Sequence, residues 1–169
     1  MTKIRLLIEG ATIVGPVTIE GLTLSGTYLF RRCVFSEEFN LEGSTLQGSL
    51  SFDRCSINAI NLCGTKVTGR LFFKNLSNSP ECPHRPILFL NSAEIYGPLD
   101  IRSCHLGSII GRSLICSGTS SFTDVTFDYY LDLSKSKFKS GLSLEKCDFR
   151  GETPPQRTLP SREAVLDLR

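Results

Sequence analysis

Cys82 and His84 are the side chains whose types and spacing come nearest to chemistry. They lie two residues apart in the segment from Asn75 to Pro86, which carries prolines at 80, 83 and 86. A thiolate and an imidazole are ordinary zinc donors, but a structural zinc site takes four ligands. The one other histidine in the chain is His105, so the pair gives no expectation of a metal. Neither histidine stands in a motif, which leaves little for general acid–base catalysis. There is no phosphate loop, no nucleophile elbow and no pair of carboxylates at a recognisable spacing. The expectation is a protein with no catalytic residues, no cofactor and no enzymatic activity.

Cations offer chemistry of another kind. Arg31, Arg32, Arg54, Lys74 and Arg102 each fall just after a recurring apolar position. Glu9, Asp53, Asp124 and Glu145 interrupt the same series, and Lys135, Lys137, Lys139, Lys146 and Arg150 form a second cluster. A guanidinium can clasp a carboxylate or a phosphate through two parallel hydrogen bonds. Phe72 and Phe89 flank the segment 75–86 at positions expected to face outward, where aromatic rings can anchor a partner. These seven residues, Arg31, Arg32, Arg54, Lys74, Arg102, Phe72 and Phe89, are the candidate partner-binding set.

What must position them is a repeat. The unit reads apolar, any, apolar, any, any, small, any, apolar, any, Gly, and returns about every eleven residues. Val17 to Gly26, Phe39 to Gly48 and Leu131 to Phe138 show it clearly. A fixed period is the signature of stacked repeats. Like residues recur at twice that distance: Ile8, Phe30, Phe52, Phe73, Ile101, Phe122 and Leu144 form one series, and Ile19, Leu41, Leu62, Leu90, Arg112, Leu133 the other. Arg112 enters by spacing alone. The small position splits likewise, with Ala11, Cys33, Cys55, Leu76, Cys104, Val125 and Cys147 in one ladder and Leu22, Ser44, Thr65, Ala93, Ile115 and Ser136 in the other.

Apolar-x-apolar segments have the period of a strand. Each is short, and the breaks supply corners. Glycines at 15, 26, 48, 69, 97 and 151 are expected to share one of them, because tight backbone angles favour Gly. The product is an all-β, four-sided parallel β-helix of 6–7 coils, in which the coil is the 22-residue double unit. At a strand spacing near ~4.8 Å it would be a rod about 30 Å long. An eleven-residue period can also make a right-handed coiled coil. The density of Gly, Ser, Thr and β-branched residues and the 2, 3, 2 apolar spacing argue against one helical stripe.

The solenoid should span residues 1–151, with an insertion at 75–86. Arg112, Ser117 and Ser120 stand where apolar residues are due, so a bulge or register change is expected within 107–121. Residues 152–169 leave the repeat. Pro154, Pro155 and Pro160 suggest a linker, and Ser161 could cap a short C-terminal helix reaching Leu168.

At 169 residues the chain is one domain by length, and its net charge of +2 is too mild to mark a nucleic-acid or membrane-surface protein. No apolar run is long enough for a spanning helix. The N-terminus leads straight into the first repeat, so no secretory signal is expected. Of the seven cysteines, Cys33, Cys55, Cys104 and Cys147 share one inward position, which points to buried thiols in a reducing cytoplasm rather than to disulfides. Cys82 should be the most reactive thiol.

Segments such as Leu50-Ser51-Phe52-Asp53-Arg54, Leu131-Asp132-Leu133-Ser134-Lys135 and Cys147-Asp148-Phe149-Arg150-Gly151 resemble pentapeptide-repeat proteins. The resemblance covers about residues 6–151 and implies a right-handed quadrilateral β-helix. It departs from the family pattern in two respects: every second face has six residues rather than five, and Leu often replaces Ala at the first inward position. Members that protect topoisomerases act as DNA mimics through a strongly acidic surface, and this slightly basic chain does not carry that feature. The functional expectation is a cytoplasmic, non-enzymatic interaction scaffold that binds a protein partner through its faces, insertion or ends. Alternatives are a nucleic-acid or topoisomerase-associated protein, and a homo-oligomer assembled through coil ends. No membrane association is expected.

Overall fold

A computed structural model describes residues 4–78, 84–151 and the two-residue strand Leu166–Asp167. The architecture is a parallel β-solenoid of about six turns, with no helix among the described residues. None is therefore long and apolar enough to cross a membrane.

The coil-to-coil register is set by the apolar series. Ile8 lies beside Phe30, then Phe52, Phe73, Ile101, Phe122 and Leu144. Each coil has four sides, in order: the one carrying that series, the Cys33 side, the Leu41 side and the Ser44 side. The strand Thr23–Arg31 pairs residue for residue with Thr45–Asp53 through a whole corner and the side on each flank of it. Side chains alternate in and out along every side, as the period of two requires.

The inner side chains pack as ladders. Phe30 stacks on Phe52 at 5.1 Å and 17°, and Phe52 on Phe73 at 5.8 Å and 14°. Phe39 meets the Phe52 ring edge-on at 5.0 Å, so rings from two sides fill one cross-section. Offset-stacked and edge-to-face rings at these spacings contribute roughly 0.5–1.5 kcal/mol per pair beyond their burial. Polar residues at inner positions are tied to the previous coil. Ser44 Oγ donates to the Ile19 carbonyl (2.8 Å), Thr65 Oγ1 to Leu41 (2.7 Å) and Ser136 Oγ to Gly111 (2.5 Å).

The corners differ in how they turn. At the corner after the Phe52 side, Gly10 is followed up the stack by Arg32, Arg54, Asn75, Ser103, Asp124 and Lys146, all left-handed with φ between 49° and 57° for the non-glycines. A left-handed residue with a Cβ costs roughly 1–2 kcal/mol. Hydrogen bonds to the next coil, such as Arg54 N–H to the Lys74 carbonyl at 2.8 Å, hold it there. The corner before the Phe52 side works by close approach instead. Gly26, Gly48, Gly69, Gly97 and Gly118 stack there, and a Cβ on any of the upper four would strike the carbonyl of the glycine below. Gly118 belongs to this ladder, whereas Gly15 and Gly151, expected in it, lie at another corner, just after Ile13 and Phe149.

The register near residue 112 also differs from expectation. Gly111, not Arg112, takes the inner position between Leu90 and Leu133, and Leu114 replaces Ile115 in the small ladder. Arg112 is exposed and Ser120 is indeed an inner residue, stacked between Leu99 and Leu142. The coil is well formed. Its irregularity is a bulge that lets Leu106 pair with Phe127 but Ser108 with Tyr130. The expected C-terminal helix lies outside the described residues, except at Leu166–Asp167, which are a strand beside Leu131–Asp132.

Candidate interaction surfaces

The five cations of the sequence reading do lie along one corner, but carboxylates are interspersed in the ladder beneath them. Glu9, Arg31, Asp53, Lys74 and Arg102 are consecutive neighbours up the stack. Arg31 faces Asp53 at 3.5 Å, and Arg32 reaches Glu9 at 3.2 Å. Arg102 leans to Asp100 at 3.4 Å. Among the described residues Arg54 and Lys74 hold no ion pair. Lys74 leads into Asn75, which turns the same corner, and Leu76 and Ser77 then continue the regular coil, Ser77 bridging Ser56, so the chain leaves the ladder for the insertion one side beyond these two cations.

Phe72 and Phe89 do not form one patch. Phe72 points outward from the Phe52 side, where the Arg70 guanidinium covers its ring at 4.2 Å from the centroid. Arg70 is itself fixed by a two-point grip on Asp100, from Nε at 2.8 Å and from Nη2 at 2.6 Å. Phe89 lies on the opposite side of the coil, between Asn61 and Ile110. Both rings are half-buried.

A cluster that the sequence reading did not anticipate surrounds Asp128, at the bulge. His105 Nε2 lies 2.5 Å from its carboxylate, Arg150 Nη1 3.5 Å and Arg85 Nε 3.6 Å. The carboxylate is nearly buried, and a buried charge needs such partners. The four residues come from four separate stretches of chain. Arg85 is the point where the insertion rejoins the solenoid: its Nη1 donates to Asn78 Oδ1 at 3.2 Å, across the loop's base. The Gly107 N–H donates to the Pro86 carbonyl at 2.8 Å, which re-enters the coil-to-coil ladder. The cluster thus clasps the loop's return. Because His105 is committed to Asp128, it is not turned toward His84, which is exposed. Cys82 lies outside the described residues.

The cysteines behave as packing residues. Cys33, Cys55 and Cys104 are buried free thiols, whereas Cys147 is half-buried because it belongs to the last coil of the solenoid. Cys55 Sγ donates to the Phe30 carbonyl of the previous coil at 3.4 Å. Burial pushes the thiols of Cys55, Cys104 and Cys116 up to about 11. Asp132 runs the other way. Burial opposes its charge, but bonds from Arg112 Nε (2.5 Å) and from Ser134 hold the carboxyl below its ordinary range.

The ends are unlike the middle. Inner residues of the central coils are fully buried, while in the first coil Ile4 is 58% and Leu6 40% exposed. An open apolar cavity of about 240 Å³ lies there, lined from the first coil by Leu6, Ile8, Ile13, Val17, Ile19 and Leu24. The fold and these surfaces define a parallel β-solenoid with a clasped side loop and an open apolar end. No family model, curated protein or solved structure matches the chain.

Proposed function

We propose that this chain is a non-enzymatic, cytoplasmic binding scaffold of the pentapeptide-repeat kind, and that it engages a protein partner at the corner of Arg54 and Lys74, one side before the insertion. The observation that carries this reading is that, among the described residues, these two cations stand without an ion pair at that corner while Arg31, Arg32 and Arg102 are already matched with carboxylates. Among the described residues, inner positions are given over to packing. Carboxylates interspersed among the cations suit an acidic protein segment better than the continuous negative charge of a nucleic acid.

The test is affinity capture from native cytosol, with and without nuclease, by the wild type and by Arg54→Glu/Lys74→Glu. The wild type should retain a protein that survives nuclease treatment and that the double variant loses. The melting temperature should change little, since Arg54 is exposed and a glutamate at 74 gains Arg102 as a neighbour where it loses Asp53. Retention by both forms would remove the corner from the reading. Capture abolished by nuclease would replace the protein partner with a nucleic acid.

A further inference from the structure

The first coil ends in an edge that the described residues leave bare. The strand Ile4–Glu9 pairs on one side with Gly26–Arg31, and among the described residues its other side has no strand. Such an edge presents a row of unpaired N–H and C=O groups, a ready template for another chain. Here it is also apolar: Ile4, Leu6 and Leu7 are exposed, and the cavity behind them is lined by aliphatic side chains.

We infer that this edge is occupied by a second copy of the same chain, in a two-fold, end-to-end dimer. The argument is the sequence Arg5-Leu6-Leu7-Ile8-Glu9. Paired antiparallel with itself about Leu7, it sets Arg5 opposite the second copy's Glu9, Leu7 opposite Leu7, and Leu6 opposite Ile8. Every contact is complementary, and the charges match twice, once at each end. A parallel arrangement in the same register would oppose Arg5 to Arg5 and Glu9 to Glu9. Two-fold interfaces require this kind of self-complementarity. Arg5 has no other ion pair among the described residues, while Glu9 is also reached by Arg32 of its own chain, and a carboxylate can accept both. The pairing satisfies the edge and brings the two open cavities face to face, so that apolar residues of each first coil are shielded from water. Opposite charges directly across an antiparallel pair are favourable and like charges are not.

The experiment is sedimentation or light scattering on the full chain, with two charge variants. Arg5→Glu carries two acids at the matched positions, and Glu9→Arg carries two bases. Wild type should dimerise in a concentration-dependent way. Each variant alone should associate about tenfold more weakly or worse. A mixture of the two should regain dimers, since the two acids of one variant then face the two bases of the other across the antiparallel pair. Melting of each variant at low concentration checks that the fold is intact. A wild type that stays monomeric at all concentrations overturns the inference. So does a dimer indifferent to both charge changes, or a mixture that fails to recover. None of these outcomes bears on the Arg54–Lys74 corner, whose test stands apart.

Discussion

Replacing Gly48 by Ala puts a single methyl group where the coils are closest. A Cβ at that position would sit 1.6 Å from the Gly26 carbonyl oxygen and 2.6 Å from its carbon. Carbon–oxygen contacts between strands settle near ~3.3–3.6 Å, so the two coils must part locally by well over ~1.5 Å. Hydrogen bonds of the ladder between Thr23–Arg31 and Thr45–Asp53, which runs through Gly26 and Gly48, cannot follow that far. Overpacking of roughly 1–3 kcal/mol plus one or two bonds at about 1 kcal/mol each gives a loss of about 2–5 kcal/mol. The matched control is Gly43→Ala. Gly43 turns the opposite kind of corner at φ 66° with nothing within 4 Å of a new Cβ, and Ser92, Ser113 and Lys135 already adopt that geometry in the coils above. Its cost is the left-handed backbone alone, about 1–2 kcal/mol. At roughly 2–4 °C per kcal/mol for a chain of this size, Gly48→Ala should lower the melting temperature by about 4–20 °C and Gly43→Ala by about 2–8 °C. Urea unfolding followed by far-ultraviolet circular dichroism measures both. If the two variants lose the same stability, or Gly48→Ala loses less, the close-approach account of that corner is wrong.

Further outcomes follow from the buried groups. Under mild alkylation of native protein, the half-buried thiols Cys63 and Cys147 should be modified before Cys55, Cys104 and Cys116, whose burial holds them at about 11; mass mapping that finds Cys55 first would contradict the inward assignment. Asp132 has a lowered pKa, so its stabilising contribution is present above the ordinary carboxylate value and fades as pH falls through the lowered one. Asp132→Asn should therefore be less stable than wild type at pH 7, with the gap in urea midpoint narrowing toward pH 3; a gap that is constant with pH would refute the assignment. Asp128→Asn leaves His105, Arg85 and Arg150 gathered without their carboxylate and should cost about 1–2 kcal/mol, discounted for the exposure of the cations. An unchanged midpoint would mean that the cluster does not hold the loop's return.

The period of the chain showed most of this fold before any coordinate, because each inner position repeats with the coil and water exclusion acts on every coil alike. Phe30, Phe52 and Phe73 needed no structure to be placed together. The slip at Arg112 has a physical origin. Gly111 offers no side chain to read, and the space is filled by Leu133 Cδ2 and Leu114 Cδ2, 3.1 and 3.3 Å from where its Cβ would be. A position filled from above and beside looks empty in one dimension. Gly15 and Gly151 were misplaced because glycines serve at more than one corner, whereas the close approach that stacks glycine on glycine belongs to one. The Asp128 cluster was hidden for another reason. Its members are 20 or more residues apart in succession, and only the coil stacking and a one-residue bulge bring them onto one carboxylate. The interspersed carboxylates along the corner, by contrast, could have been read by writing Glu9, Arg31, Asp53, Lys74 and Arg102 as one column.

The side loop has a consequence for how such a chain can change. Between Phe73 and Ile101 the step along the sequence grows to 28 residues from the 21 of the coil before, yet the two residues still sit directly above one another. On the far side Leu88 resumes over Ile60, with Arg85 clasped and Pro86 back in the ladder. Length and register are uncoupled at that address. Elsewhere the coils vary only between 21 and 22 residues, whereas the step that contains residues 78 to 84 takes 28 with the register kept. The molecule therefore has a splice port, a place where new sequence, natural or grafted, can be displayed from a rigid post without renegotiating the post itself.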